Sequence, residues 1–417
     1  MFQHAYNANE NMLVCAPTGA GKTNIATLTI LNVIKRFKDG FKVIYISPMK
    51  ALANELVQKF TKKFSEFKTR EMTGDIQLSQ KELATTHIIV TTPEKLDVVT
   101  RKNSALMEEV KLVIFDEVHL LNDERGWVLE SLVARLFRSV YRTQKTIRIV
   151  GLSATLPNYG DVAMFLKVGE GGLFHFDSTF RPVPLMIHFY GIKSAADQTG
   201  INGRRRRQLD VLNEKCYEYC MKHVKAKKQV LVFCHSRKET MVYCKYIMNR
   251  ALELGDDVYL GQSDKLLIKY RVTDRELQKV APSGLAFHHA GMVRADRNQV
   301  ERMFMNGDVK ILVATATLAW GVNLPAYAVV IKGTDVYDVN LSESKDLSIL
   351  DVQQMFGRAG RPQFDTNGEA ALMTDFKKVN KYMGALTSTV PIESKFPDFL
   401  KEAMNAEICS GTVTNVM

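Results

Sequence analysis

The octapeptide Ala-Pro-Thr-Gly-Ala-Gly-Lys-Thr at residues 16–23 restricts the possible folds more than any other segment. It follows the apolar run Met12–Ala16 and precedes a stretch with helical periodicity at Thr23–Phe37. A glycine-rich turn in that position lets backbone amides approach phosphate oxygens, and the helix N-terminus favours an anion. The order of strand, loop and helix therefore predicts a phosphate-binding loop in an α/β domain. The alternative is an ordinary strand–helix turn.

Each residue type in this loop has its own chemical role. Glycines leave room for phosphate, Lys22 supplies a cation to the β- and γ-phosphates, and the Thr23 hydroxyl is a magnesium ligand. The predicted nucleotide contacts in the loop are Thr18, Gly19, Ala20, Gly21, Lys22 and Thr23.

Strand-length apolar runs recur along the chain, separated by helix-period stretches such as Ala51–Phe64. This alternation predicts mostly parallel sheets with helices on both faces. Pro182 and Pro184 interrupt the pattern within Ser178–Phe189, so we predict two α/β domains, residues 1–180 and 181–385. The predicted strands are Met12–Ala16, Lys42–Ser47, His87–Thr91, Lys111–Phe115 and Ile147–Leu152 in the first domain, and Gln229–Cys234, Gly284–His288, Lys310–Ala314, Ala328–Ile331 and Glu369–Met373 in the second.

Two further segments follow apolar runs of the first domain. Asp116 is placed at a strand end to hold magnesium, and Glu117 beside it to deprotonate an attacking water. Alone, this pair would indicate only a helix N-terminus, but with the phosphate loop it predicts a nucleotide-hydrolysing site. Ser153–Thr155 ends another strand of the same predicted sheet, near the γ-phosphate side.

The second domain contains an arginine pair, Arg358 and Arg361, in a segment that we predict to be helical. At a spacing of three residues the two side chains share a helix face, and Gln354 lies one turn earlier. Such a pair is usually a solvated face, yet phosphoryl transfer gains from a guanidinium supplied from outside the loop. We predict that Gln354, Arg358 and Arg361 are catalytic and are supplied in cis by the second domain.

The composition limits the class of protein. Of 417 residues, 56 are Lys or Arg and 45 are Asp or Glu, and the net charge of +11 permits a polyanionic partner. No apolar run reaches the length of a spanning helix, so we expect no membrane partner. Six cysteines without a Cys-x-x-Cys pair indicate a reduced, intracellular setting, in the nucleus or cytosol. We interpret Arg204–Arg207 as a solvated loop rather than a nuclear-localisation or nucleic-acid-binding segment.

Taken in order, these segments and four others resemble the motifs of superfamily 2 DExH-box helicases. Residues 317–326 and 357–365 are similar to the Ski-type subgroup of that family. The resemblance covers nearly the whole chain and implies two tandem RecA-like domains, followed at residues 386–417 by the start of a truncated winged-helix region. The matching segments are Ala16–Thr23, Pro48–Leu52, Thr91–Lys95, Asp116–His119, Ser153–Thr155, Val232–Lys238, Thr315–Ala326 and Gln354–Arg361.

The resemblance implies ATP and Mg²⁺ as cofactors and a role for each matching position. The polar segment Val336–Asp346 lies where relatives carry a strand-separating β-hairpin, in which Tyr337 could stack on a base; the alternative is a surface loop. Contacts to the nucleic-acid backbone are implied for Pro48, Lys50, Thr92, Pro93, Arg237, Thr315 and Thr317, and coupling of the ATP state to domain closure for His119, Ser153 and Thr155.

The leading hypothesis is an ATP-dependent helicase that moves 3′ to 5′ on single-stranded RNA or DNA and unwinds tailed duplexes or remodels ribonucleoproteins. One alternative is a nucleic-acid-stimulated ATPase switch or scaffold without processive unwinding. A transport or metabolic P-loop ATPase is disfavoured, because the second domain carries strand-binding and arginine motifs. The expected partner beyond nucleic acid is a larger ribonucleoprotein or a repair or quality-control complex.

Overall fold

The chain forms two compact units, each with its own parallel sheet. The computed structural model describes residues 1–74, 76–102, 104–193, 201–261, 263, 265–321, 324–338, 343–387, 391–409, 411 and 413. The first unit consists of residues 1–181 and 389–417, and the second of residues 182–388. The predicted α/β class with two tandem RecA-like domains is confirmed, and the assignment of residues 386–417 to a winged-helix region stays a prediction.

The first unit is built on a seven-stranded sheet. Its strands are β1 Met12–Cys15, β2 Lys42–Ile46, β3 Thr69–Met72, β4 Ile88–Thr91, β5 Val110–Phe115, β6 Arg148–Ser153 and β7 Leu173–His175. Their order is β3-β4-β2-β5-β6-β1-β7, and every neighbouring pair is parallel. Strands β1, β2, β4 and β6 are buried along their whole length, as expected for a sheet covered on both faces. The helices before residue 181 are α1 Phe2–Asn7, α2 Lys22–Phe37, α3 Lys50–Lys63, α4 Gln80–Thr85, α5 Pro93–Lys102, α6 Gly126–Thr143 and α7 Tyr159–Phe165.

The second unit has a six-stranded parallel sheet and a separate hairpin. The strands of this unit are β8 Leu185–Ile192, β9 Val230–Cys234, β10 Leu285–His288, β11 Ile311–Thr315, β12 Ala328–Lys332, β13 Asp335–Asp338, β14 Glu343–Asp346 and β15 Gly368–Asp375. The sheet order is β10-β11-β9-β12-β15-β8. The helices of this unit are α8 Ile201–Lys225, α9 Arg237–Leu254, α10 Asp257–Leu260, α11 Lys265–Tyr270, α12 Arg275–Val280, α13 Arg294–Met305, α14 Thr317–Gly321, α15 Ile349–Phe356 and α16 Phe376–Thr387.

The interpretations of the segments Ser178–Phe189 and Arg204–Arg207 are wrong. The segment Ser178–Phe189 was predicted to lie outside the strands. Its second part is a strand, because β8 begins at Leu185 and pairs with β15. As an edge strand it is mostly exposed or half-buried, and His188 and Gly191 interrupt its apolar residues, so it differs from the buried run of a central strand. The segment Arg204–Arg207 is helical backbone within α8 rather than a loop, consistent with the high helix propensity of arginine.

The structure shows the state of the cysteines and the character of the helices. All six cysteines are free, and Cys409 is the exposed one. Among the described residues, no helix combines the length and apolarity needed to cross a bilayer.

The polar segment at residues 335–346 is a hairpin whose base is held by lysines. Strands β13 and β14 are antiparallel, with Asp335 opposite Asp346. Lys378 Nζ on α16 lies 2.5 Å from Asp335 Oδ1 and 2.6 Å from Asp346 Oδ1, and Lys381 Nζ lies 2.6 Å from Asp346 Oδ2. The predicted hairpin is therefore present and anchored at its base, while residues 339–342 lie outside the described part of the chain.

Residues 391–409 pack on the first unit and end in the helix α17, Leu400–Cys409. Asn158 exchanges two hydrogen bonds with the backbone of Ile392, each 2.9 Å long. Trp127 of α6 stacks on Phe399 at 5.6 Å between ring centroids. The helix also presents Leu400, Met404 and Ile408 to solvent at a spacing of four residues.

Glu130 of α6 is the principal polar anchor of this tail. Its Oε1 accepts hydrogen bonds from the amides of Lys395 (2.9 Å) and Phe396 (3.2 Å), and its Oε2 accepts one from Ser394 Oγ (2.6 Å). We expect Glu130→Ala to weaken the attachment by about 1–2 kcal/mol, since a shared carboxylate acceptor is lost. Hydrogen exchange at residues 394–399 should accelerate about 5- to 30-fold.

The control for this prediction is Arg138→Ala, which removes an exposed charge from the same helix. It should leave exchange in the tail unchanged. Equal exchange in the wild type and the Glu130 variant would show that Glu130 does not hold the tail.

Candidate ATP and nucleic-acid site

The predicted phosphate-binding loop lies between β1 and α2. Gly19 and Gly21 have φ angles of 87° and 95°, in the left-handed region that glycine enters without strain. Because α2 begins at Lys22, the first amides of the helix have no partner within the helix and are available to an anion. This is the backbone geometry that a phosphate-binding loop requires.

The positive charge of Lys22 lies close to the other predicted site residues. Its Nζ donates a 3.0 Å hydrogen bond to the carbonyl of Ala16. Burial raises the pKa of Cys15 to about 12, and Lys22 partly offsets this. Lys22 also acts on Asp116 and His119, which follow β5. The lysine therefore brings its charge to the carboxyl ends of β1 and β5.

Asp116 is a partly buried carboxylate with both oxygens bound. Tyr45 of β2 donates its hydroxyl to Oδ2 at 2.6 Å, and the amide of Glu117 donates to Oδ1 at 3.0 Å. Burial, followed by the charge of Glu117, raises the pKa of Asp116 to about 7, although Tyr45 and Lys22 act in the opposite direction. The carboxylate is thus held in one orientation at a position where a cation would favour its charged form.

Glu117 has a left-handed backbone, with φ 53° and ψ 52°. This conformation costs a residue with a side chain about 1–2 kcal/mol, and strain of this kind is concentrated at functional sites. The turn directs the chain from β5 into the 3₁₀ helix Val118–Asn122. Sequence reasoning located the pair Asp116 and Glu117 but had no signal for this backbone state.

His119 joins the segment after β5 to the segment after β6. Burial lowers the pKa of its imidazole, although Glu117 opposes this, so the ring is neutral near pH 7. Its Nδ1 accepts a 3.2 Å hydrogen bond from the amide of Ala154 and lies 3.4 Å from Glu117 Oε2. Accepting at Nδ1 leaves the proton on Nε2. The contact lies between the predicted coupling residues Ser153 and Thr155, whose role stays a prediction.

The donor set fits a magnesium ion. Among the described residues, no group of three or more His, Cys, Asp or Glu side chains is arranged to hold a metal. Magnesium is a hard cation, and its ligands in proteins are carboxylate and hydroxyl oxygens together with oxygens from water and phosphate. The partly buried Asp116 would supply the carboxylate, and Thr23 in the first turn of α2 would supply the hydroxyl. Near them Ser153 Oγ is buried without a hydrogen-bond partner in the described part of the chain.

The predicted nucleic-acid contacts of the first unit follow β2 and β4. Pro48, Thr92 and Pro93 are buried, whereas Lys50 at the start of α3 is exposed. A Cβ atom at Gly74 would lie 3.0 Å from Lys50 Nζ, so the end of the lysine side chain packs against this glycine. Since every strand of this sheet is parallel, the segments after β1, β2, β4, β5 and β6 all lie at one edge.

The predicted nucleic-acid contacts of the second unit are polar side chains, of which Arg237 and Thr317 are exposed and Thr315 is half-buried. Arg237 begins α9 just after β9, and its Nη1 would lie 3.0 Å from a Cβ atom at Gly291. Thr315 ends β11 and Thr317 begins α14, with their hydroxyl oxygens 2.9 Å apart. The sequence reasoning did not identify Gly291, although its absence of a side chain makes room for Arg237. In the same matching segment, Val322 and Asn323 lie outside the described residues.

The predicted helix across the arginine pair is wrong. Helix α15 ends at Phe356, so Arg358 and Arg361 lie beyond it and do not share a helix face. Ala359 instead forms a parallel bridge with Ala326, and Gly360 takes a φ of 84°. Glycine at residue 360 enters this left-handed conformation without the strain that a side chain would cause. Gln354 remains within α15 and is buried.

Both arginines are held by other groups of the second unit. Arg358 donates to the carbonyl of Ala319 through Nε at 2.9 Å and also through Nη2. Arg361 Nε lies 2.9 Å from Asp365 Oδ2, and its Nη1 donates to Gln229 Oε1 at 3.1 Å. Burial opposes ionisation of Asp365, but the hydrogen bonds from Arg361 outweigh it and the pKa of Asp365 is lowered. Arg361 therefore has a structural partner whatever its catalytic role.

We expect Arg358→Ala and Arg361→Ala each to reduce ATP turnover by about a hundredfold, with a smaller effect on ATP affinity. An arginine finger stabilises negative charge that develops on the phosphate in the transition state, so its loss affects turnover more than binding. Steady-state ATPase kinetics measure both. For Arg361 the control is Asp365→Asn, which removes its carboxylate partner and keeps the guanidinium. If Asp365→Asn lowers turnover as much as Arg361→Ala, then Arg361 serves the fold rather than catalysis.

Comparison with known proteins places these motifs in a family. The family model described as DEAD/DEAH box helicase matches residues 1–162, and the model described as helicase conserved C-terminal domain matches residues 211–363. The chain is 51% identical over 437 residues to activating signal cointegrator 1 complex subunit 3 of Bos taurus and 50% identical over 435 residues to that of Homo sapiens. It is 49% identical over 436 residues to the DExH-box ATP-dependent RNA helicase DExH14 of Arabidopsis thaliana.

These relatives are much longer than the chain. Each match covers 100% of this chain but 19% of the two cointegrator subunits and 20% of the Arabidopsis protein. The chain thus spans about one fifth of the length of the curated relatives it matches.

Proposed function

The chain belongs to the DEAD/DEAH-box helicase family, and from this premise we propose that it hydrolyses ATP to move 3′ to 5′ along a single strand of RNA or DNA. One observation carries the proposal. Five motif segments follow five parallel strands and therefore lie at one edge of the first sheet. These segments contain Lys22, Asp116, Glu117 and His119. An edge of this kind is where α/β proteins bind nucleotides.

The chain's own residues divide the chemistry of hydrolysis between them. Residues 18–23 would bind the phosphates, and Thr23 and Asp116 would hold Mg²⁺, which neutralises phosphate charge when bound. Glu117 would orient and deprotonate the attacking water. Gln354, Arg358 and Arg361 of the second unit would stabilise the charge of the transition state.

The strand would be held through its phosphates. Lys50 and Arg237 are exposed cations among the predicted contacts, and Thr315 and Thr317 present adjacent hydroxyls. Contacts of these types position a strand without reading its bases. Affinity should therefore be nearly independent of base sequence and should fall steeply with salt.

The hairpin β13–β14 would part the duplex. Its support is the anchored base, where Lys378 contacts both Asp335 and Asp346, together with its place between the segments Thr315–Ala326 and Gln354–Arg361. An element that separates a duplex must resist displacement. The ion pairs of Lys378 with Asp335, where β13 begins, and with Asp346, where β14 ends, would provide that resistance at the base of the hairpin. Tyr337 in β13 is the residue we propose to stack on a base.

We further propose an intracellular location, in the nucleus or cytosol, and action within a larger assembly. The name of the cointegrator subunits describes them as part of a complex, and the name of the Arabidopsis relative describes an RNA helicase. An ATPase switch or scaffold that does not unwind processively is the second candidate. It would use the same ATP site and the same strand contacts, and duplex unwinding distinguishes the two candidates.

The test is ATP turnover with and without single-stranded RNA and DNA, followed by unwinding of a duplex with a 3′ or 5′ tail. We expect stimulation by a single strand and unwinding only with the 3′ tail. Stimulation without unwinding of either duplex would favour the switch or scaffold. Turnover that no nucleic acid affects would overturn the proposal.

The hairpin is tested by replacing residues 337–345 with a short Gly-Ser linker. This change leaves Asp335 and Asp346 in place, so their ion pairs with Lys378 can still form. Strand-stimulated ATP turnover should persist, because the ATP-site residues and the strand contacts are untouched, while unwinding should fall at least about tenfold by analogy with loss of a base-stacking contact of 1–3 kcal/mol. A parallel fall of both activities would instead assign the hairpin to folding.

A further inference from the structure

A buried tyrosine in β2 is hydrogen-bonded to the predicted magnesium ligand Asp116. Tyr45 lies in β2 between Ile44 and Ile46 and is fully buried. Its hydroxyl donates a 2.6 Å hydrogen bond to Asp116 Oδ2. Burying a phenol costs free energy unless the hydroxyl finds a partner, and here that partner is a carboxylate, which forms a stronger bond than a neutral acceptor.

The position of this hydroxyl is set from two sides. Tyr45 pairs with Ile114 in the parallel ladder of β2 and β5, and the amide of Asp116 donates to the carbonyl of Ile46 at 3.0 Å. The Tyr45 ring also packs on Phe60 of α3, with the centroids 5.6 Å apart. The ring therefore has little freedom to turn away from Asp116.

The remaining oxygen of Asp116 is held by the backbone. Oδ1 accepts from the amide of Glu117 at 3.0 Å, and Oδ2 accepts from Tyr45. With one donor on each oxygen the carboxylate plane is fixed, and each oxygen retains a further lone pair for a ligand. Without the tyrosine hydroxyl, the Oδ1 contact would be the one hydrogen bond from the described residues that restrains the carboxylate plane.

We propose that Tyr45 is a positioning residue, which fixes the orientation in which Asp116 meets the magnesium ion of the nucleotide. This inference rests on the proposed ATPase function and adds a residue to it. Tyr45 does not touch the reacting groups and acts only through Asp116. Partners of this kind typically change metal affinity or activity about 10- to 100-fold when removed.

The test is Tyr45→Phe, which removes one oxygen and keeps the buried ring. Binding of Mn²⁺, as a spectroscopic substitute for Mg²⁺, is measured in the presence of ADP from the electron paramagnetic resonance signal of the free ion. We expect the dissociation constant for Mn²⁺ to rise about tenfold. The Mg²⁺ concentration for half-maximal ATP turnover should rise in parallel, and ADP affinity measured in EDTA should stay within twofold.

The matched control is Tyr243→Phe in the second unit. Tyr243 is also buried, and its hydroxyl donates to the carbonyl of Asn213 at 3.2 Å, away from any predicted metal ligand. It should leave Mn²⁺ binding within twofold of the wild type. Asp116→Asn provides the opposite reference, because it removes the carboxylate charge itself.

The outcomes separate this inference from the proposed function. Mn²⁺ affinity within twofold of the wild type in Tyr45→Phe, in a protein whose ATPase requires Mg²⁺, would overturn the role of Tyr45 and leave the ATPase assignment intact. A wild type without Mg²⁺-dependent turnover would overturn the ATPase assignment first. Unchanged ADP affinity in EDTA shows that the variant is folded, and a loss of that affinity together with Mn²⁺ affinity would assign Tyr45 to the fold alone.

Discussion

Replacement of Lys22 by alanine should reduce ATP turnover by about a hundredfold or more. Losses of about this size are typical when one preorganised group that stabilises the charge of the transition state is removed. The Lys22 ammonium contacts the Ala16 carbonyl at 3.0 Å and acts electrostatically on Asp116. It is thus the cation at the carboxyl ends of β1 and β5. Steady-state turnover and the affinity of a fluorescent ATP analogue measure the effect.

The control is Lys35→Ala, on the same helix at an exposed position. It removes an identical charge far along α2 and should leave turnover within twofold. If the two variants behave alike, the phosphate loop is not the ATP site.

The Glu117→Gln variant is the second prediction with a large effect, and it should separate binding from hydrolysis. Glutamine keeps the size and the hydrogen-bonding capacity of the side chain but cannot take a proton from water. Turnover should fall about a hundredfold or more, on the scale of general-base catalysis. ATP and a single strand should still bind, and their complex should persist because ATP is not consumed.

The measurement is single-turnover hydrolysis beside equilibrium binding of a labelled strand in the presence of ATP. Glu124→Gln is the control, since it makes the same change at an exposed position seven residues further along the chain. Normal hydrolysis in the Glu117 variant would remove its assignment as the base. Loss of ATP binding would indicate that the left-handed turn at this residue had collapsed.

The central strands were predictable because burial on both faces leaves an uninterrupted apolar run. Strands β2, β9 and β12 were located to within one residue at each end on that signal alone. The edge strands β3, β7 and β8 were not predicted from an apolar run, because they are partly exposed and contain both polar and apolar side chains. A strand at an edge is specified by its neighbour as much as by its own residues.

The helix predicted through Arg358 and Arg361 shows a second limit. Local periodicity permits a helix there, but the bridge between Ala359 and Ala326 competes with it. Residue 326 is distant in sequence, so no window around the arginines contains that information. The same limit applies to Arg361, whose partners Asp365 and Gln229 are brought together only in the folded unit.

The sequence by itself determined the class of fold and the identity of the chemical groups. Strand, glycine-rich loop and helix in that order specify a phosphate site, because backbone geometry and residue type suffice for it. Tertiary structure alone decided which groups restrain those residues: the hydroxyl of Tyr45 on Asp116, the amide of Ala154 on His119, and the left-handed backbone of Glu117. The physical reason is that hydrogen bonds and electrostatic interactions depend on distance in space, which the sheet order sets and the sequence does not state.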